Sequence, residues 1–86
     1  MNEKILLNLV SEWCSECREL PKLYRDKRIA RLIDEFDVRY IDIDEYPHIL
    51  NRFNFGGLPS ILFIRGDKLL YGFSGTPSVD EMIKII

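Results

Sequence analysis

Cys14 and Cys17 are the two cysteines of the 86-residue chain, and they stand three apart in Cys14-Ser15-Glu16-Cys17. A loop that short adds little constraint to an unfolded chain, so the pair reads as a chemical site rather than a brace. Two thiols so spaced can exchange electrons with a disulfide: one attacks, and the other clears the mixed disulfide that results. They could instead supply half of a metal site, or share an iron–sulfur cluster between two subunits, or lie inert in a core. Zinc would need further ligands, and His48, the one histidine, lies in another segment beside Pro47, where a solvated position in a short helix is expected. Redox chemistry leads, and a non-enzymatic module binding a metal or cluster between subunits is the alternative. The redox reading needs no metal and no cofactor beyond the Cys14–Cys17 disulfide itself.

Such chemistry depends on where the backbone puts the sulfurs. Residues 5–10 form an almost continuous apolar run, as in a strand covered on both faces, and Cys14 follows closely. From Ser15 onward the pattern turns helical, with Leu20, Leu23 and Tyr24 on one face and then Ile29, Leu32, Ile33 and Phe36 at helical spacing. Cys14 would occupy the amino end of that helix, where exposed N–H groups and the helix dipole favour a thiolate and lower its pKa. Cys17, one turn later, would lie within reach and more enclosed. Pro21 predicts a kink inside the helix, with Asp26 as N-cap if the helix restarts. Lys27, Arg28 and Arg31 fall on the exposed side as a solvated basic face.

Residues 38–43 have the Val, Tyr and Ile content of a second strand, and Asp44-Glu45-Tyr46-Pro47 ends it and opens a short helix with Pro47 in its first turn. Residues 61–64 and 69–73 are two further strands, joined by Arg65-Gly66-Asp67-Lys68 as an antiparallel hairpin. Ser78 and Glu81 have capping-box spacing, and Val79, Met82, Ile83 and Ile86 form the buried stripe of a last helix. The order is βαβ, a short helix, then ββα. Right-handed crossover makes the first two strands parallel, and the hairpin extends them to a four-stranded mixed sheet with helices on both faces, an α/β fold.

With 47% apolar and 30% charged residues, the chain has the composition of one folded domain over residues 1–86. Its 12 basic and 14 acidic residues are interspersed, and a net charge of −2 gives no field for nucleic acid. Asn8 and Glu12 interrupt the early apolar run, so neither a signal peptide nor a membrane span is expected. A cytoplasmic monomer is the resulting expectation.

Trp13-Cys14-Ser15-Glu16-Cys17, followed by Leu58-Pro59-Ser60 before the third strand, resembles the thioredoxin family nearly end to end. Residues 38–44 look like that family's second core strand, and Gly57-Leu58-Pro59 like its cis-proline loop. The resemblance implies a thioredoxin-like fold and protein-disulfide oxidoreductase activity in electron transport and redox homeostasis. It gives Cys14 as the attacking sulfur and Cys17 as the resolving one. Trp13, Leu58, Pro59 and Gly75 would bind substrate, with Pro59 cis and backed against the disulfide. The implied partners are disulfide-containing proteins, and an electron-donating reductase or glutathione.

Three departures from the family pattern matter. The chain lacks the family's usual first strand and helix, so in size it is closer to glutaredoxins and to minimal archaeal thioredoxin-like proteins. Between the cysteines Ser15-Glu16 replaces Gly-Pro, and the Glu16 carboxylate opposes thiolate formation, which favours a reducing potential. Where the family often pairs a buried aspartate with a lysine, this chain has Asn8 and Tyr40. An amide cannot take the proton from Cys17, which implies slow release of the mixed disulfide near neutral pH.

Overall fold

The computed structural model describes residues 3–52 and 56–86. The chain runs through β1 (Lys4–Val10), a 3-10 turn (Glu16–Glu19), α1 (Leu20–Arg25), α2 (Lys27–Leu32), β2 (Asp37–Asp42), α3 (Ile49–Arg52), β3 (Ser60–Arg65), β4 (Lys68–Ser74) and α4 (Val79–Ile85). The strands form one sheet in the order β2-β1-β3-β4. β1 is parallel to β2 and antiparallel to β3, and β4 is antiparallel to β3. This is the expected four-stranded mixed sheet.

That topology brings four chain segments to one end of the sheet. Val10 pairs with Asp42, Leu9 with Ser60, and Ser60 with Ser74. The segments after β1, before β3 and after β2 and β4 therefore all emerge together. At the other end Gly66 turns β3 into β4 with φ +62°, a conformation that suits glycine at the first central position of a tight hairpin.

Alternation along the strands divides the core. Leu6, Ile61 and Phe63 face Leu20 and Leu23 of α1, Ile29 of α2 and Met82 of α4, whereas Leu7, Leu9 and Leu62 face the other side with Ile43 and Ile49 of α3. Helices thus cover both faces. Phe63 is fully buried, with Phe36 edge-on to its ring at 5.2 Å. Among the described residues no helix is long and apolar enough to cross a membrane.

The first helix departs from expectation. It is not continuous from Ser15 and it does not kink at Pro21: a 3-10 turn leads into α1, and the break falls at Asp26, whose backbone is extended at φ −60°, ψ 130°. Pro21 lies in the first turn of α1, where its fixed φ suits a helix start. Asp26, as expected, is the N-cap of the restart: its carboxylate accepts from the N–H groups of Arg28 and Ile29 and opens α2. The short helix also starts later than expected, at Ile49, so Pro47 precedes it.

At α4 the capping box is complete: Ser78 Oγ accepts from Glu81 N–H at 3.1 Å, and Glu81 Oε1 accepts from Ser78 N–H at 3.2 Å. Ser78→Ala removes one half and should cost about 1 kcal/mol. Urea denaturation checks it, and an unchanged midpoint would mean that water replaces the hydroxyl.

Candidate active site

The end of β1 delivers the dithiol. After Val10 the chain turns at Ser11, where Cys14 N–H donates to Ser11 O at 3.2 Å and Trp13 N–H donates to Ser11 Oγ at 3.2 Å. Cys14 stands just ahead of the 3-10 turn that begins at Glu16, so the segment next to it is this short turn and not the long helix expected from the sequence. Both thiols are free and each is 8% exposed.

Burial pushes the Cys17 thiol up to about 11, with the adjoining Cys14 and the Glu16 carboxylate adding to the rise and the Ser11 backbone opposing it. One side of Cys17 opens on a groove lined also by Ser11, Glu12, Arg18, Tyr40 and Asp42.

The other segments reach the dithiol through a chain of hydrogen bonds. Thr76 Oγ1 donates to Glu16 O at 3.2 Å, and the neighbouring Gly75 N–H donates to Pro59 O at 2.7 Å. Gly75 has φ +86°, which glycine alone adopts without strain. The Leu58–Pro59 bond is cis, Pro59 is buried, and Ser60 Oγ donates to Gly57 O at 2.7 Å beneath the loop. Cys14, Cys17, Glu16, Gly75 and the Leu58–Pro59 loop therefore belong to one connected site. Trp13 is 69% exposed, so it is no part of the core, and its Nε1 lies 3.5 Å from Asp44 Oδ1. His48 is exposed beside Tyr40, Tyr46 and Arg52, in a separate depression.

Asn8 is fully buried and its side-chain polar atoms are all partnered. Its Nδ2 donates to Leu6 O at 3.3 Å and Arg39 O at 3.1 Å, which fixes the amide's orientation because carbonyls only accept. Its Oδ1 accepts a hydrogen bond from Tyr24 Oη. Tyr40, opposite Asn8 across β1 and β2, is half-exposed and makes no hydrogen bond to it; Tyr24 is the partner. Burial raises the Tyr24 phenol well above its ordinary value, so it stays a donor across the physiological range.

Tyr24→Phe should leave Asn8 Oδ1 buried without a donor and cost about 1–3 kcal/mol. Equal urea midpoints for Tyr24→Phe and the parent would show that water reaches Asn8.

Tyr24, Asp44 and Thr76 also make contacts here, and no sequence motif marks them. Tyr24 carried a signal, being the polar member of an otherwise apolar helical face. Among the described residues no group of three or more His, Cys, Asp or Glu is placed to hold a metal ion.

The sequence model of the thioredoxin family matches residues 1–86. Thioredoxin Y, chloroplastic, from Oryza sativa subsp. japonica is 24% identical over 82 residues, which cover 95% of this chain and 48% of that protein. Thioredoxin-1 from Drosophila yakuba is 28% identical over 72 residues, 83% of this chain and 65% of that one. The chain thus spans less than two thirds of either relative's length. The crystal structure of the germline-specific thioredoxin Deadhead from Drosophila melanogaster is similar with a TM-score of 0.76 and 25% identity, covering 99% of this chain and 83% of that one.

Proposed function

We propose that this chain, which belongs to the thioredoxin family, is a thiol–disulfide oxidoreductase that works as a disulfide reductase. Cys14 thiolate attacks one sulfur of a substrate disulfide and displaces the other as thiolate. Cys17, once deprotonated, attacks the Cys14 sulfur and releases the second substrate thiol. Two electrons pass to the substrate and a Cys14–Cys17 disulfide is left, which an external dithiol donor, a reductase or glutathione, must reduce. Trp13, Leu58, Pro59 and Gly75 frame the substrate segment, and disulfide-containing proteins of the cytoplasm are the expected partners of the monomer.

The observation that carries this reading is the pair of buried, adjoining thiols, with Cys17 held up at about 11. A dithiol whose second proton is hard to remove leaves its reduced form little stabilised as thiolate, so the disulfide is relatively favoured and electrons flow outward. The potential then belongs toward the reducing end of the range of about −270 to −120 mV that related dithiols span.

Titration of the Cys14–Cys17 couple against glutathione tests the direction, alongside reduction of insulin disulfides by the purified chain. A potential near the oxidising end, or no turnover of insulin, would overturn the reductase reading.

A further inference from the structure

β1 and β3 lie between β2 and β4, so segments arriving from β2 and from β4 flank the dithiol on opposite sides. On the β4 flank, Glu16 Oε2 lies 3.9 Å from the point that a Cβ on Gly75 would occupy, and the Glu16 carbonyl is tied to Thr76. The exposed carboxylate therefore lies where the dithiol segment meets the Pro59–Gly75 pair. On the β2 flank, Asp44 lies against the Trp13 indole. None of the ion pairs among the described residues engages Glu16 or Asp44. Arg18, the one cation of the segment 11–19, lines the groove with Glu12 and Asp42 on the β2 side. The charge of Glu16 is felt at the dithiol, being among the influences that raise Cys17.

We infer that Glu16 is a specificity-determining residue that makes the dithiol select disulfides flanked by basic side chains over those flanked by acidic ones. This rests on the oxidoreductase reading and names its substrate class. An extended substrate whose cysteine meets Cys14 beside the Leu58–Pro59 loop must carry its neighbouring side chains past the Gly75 junction, within a Debye length of Glu16. A lysine or arginine there gains attraction in the encounter and in the mixed disulfide, and a glutamate meets repulsion. One charge pair about 6 Å apart in a water-like medium changes a rate by about threefold, so exchanging Lys for Glu in the substrate should change it by about tenfold.

The test uses two peptide disulfides identical except for Lys or Glu two positions from the cysteine, with second-order reduction rates measured at low and high salt. The Lys peptide should react about tenfold faster at low salt, with the ratio shrinking as salt screens the pair. Glu16→Gln should bring the ratio close to one, and Glu16→Lys should invert it. Because each ratio compares two substrates on one protein, any change that the substitution makes in the intrinsic reactivity of the dithiol cancels. A parent ratio near one, or a ratio that survives Glu16→Lys, overturns the inference while both peptides are still reduced. Reduction of neither peptide by the parent chain would instead remove the oxidoreductase reading, and the selectivity with it.

Discussion

Cys14→Ser is expected to abolish disulfide reduction, and Cys17→Ser to keep the first attack and accumulate substrate as a stable mixed disulfide. The asymmetry comes from the protonation of Cys17. A thiol at about 11 presents roughly one thiolate in 10⁴ at pH 7, so Cys17 is a poor first nucleophile. As the second nucleophile it should succeed, because the mixed disulfide would put its target alongside, where a large effective concentration offsets the scarcity of thiolate. The release step should then rise about tenfold per pH unit through the neutral range, since each unit multiplies the thiolate fraction tenfold, and level off below the free-dithiol value because the Cys14 thiol no longer adds to the rise. Burial, the largest cause of the shift, persists when Cys14 is occupied by substrate.

Stopped-flow fluorescence of Trp13, exposed and adjacent to Cys14, resolves the two phases across pH. A release phase flat in pH would mean that deprotonation of Cys17 does not limit it. Preferential alkylation of Cys17 at pH 6 in the reduced protein would reverse the assignment of roles.

Asn8→Asp should be strongly destabilising at neutral pH and much less so in acid. The amide donates to two backbone carbonyls, Leu6 O and Arg39 O. A carboxylate in its place would face both carbonyl oxygens in a site with no exposure, with only the Tyr24 hydroxyl to donate to it. The native state would therefore hold the new carboxyl protonated, so that it donates to one carbonyl, and its folded pKa would lie above the unfolded value of about 3.9.

The sign follows from proton binding. Above the unfolded pKa the native state binds more protons than the unfolded chain, so stability falls as pH rises, by about 1.4 kcal/mol per unit until the folded pKa is passed. Below about pH 4 both states are protonated, and only the cost of one lost amide donor remains, about 1–3 kcal/mol. Urea midpoints of Asn8→Asp measured at acid and neutral pH, each against the parent, provide the check. A penalty independent of pH would show that the carboxylate is solvated. The same geometry argues that an aspartate here would not serve as a base for Cys17 near neutral pH, because it would already carry a proton.

The parts of this molecule legible from its sequence are those set by neighbours along the chain. Strand β1, the Gly66 hairpin and the Ser78–Glu81 cap each depend on residues within a few positions, and their patterns are unambiguous. The dithiol was legible for the same reason. The break between α1 and α2 was harder, because Pro21 is the louder signal. Pro21 is accommodated without a break because it falls where the 3-10 turn passes into the first turn of α1. The Tyr24–Asn8 contact joins residues 16 apart, and its phase depends on how the 3-10 turn and α1 rotate together, so no local rule yields it. The pairing of Asn8 with Tyr40 across the strands was legible, but adjacency on a sheet is not a hydrogen bond, and the polar atoms of Asn8 are satisfied elsewhere.

The convergence of four segments at one end of the sheet leaves the opposite end free for engineering. The Gly66–Asp67 turn lies there, a strand of six residues away from Ser60, which at about 3.3 Å per residue is roughly 20 Å. Asp67 is exposed, and the Gly66 N–H is anchored to Glu3 O at 2.8 Å. A fluorophore, an electrode linker or a fused carrier attached at Asp67 would thus ride on the far pole of the protein. Immobilised there, the chain would present its dithiol outward to solution, the orientation that a surface-bound disulfide sensor requires.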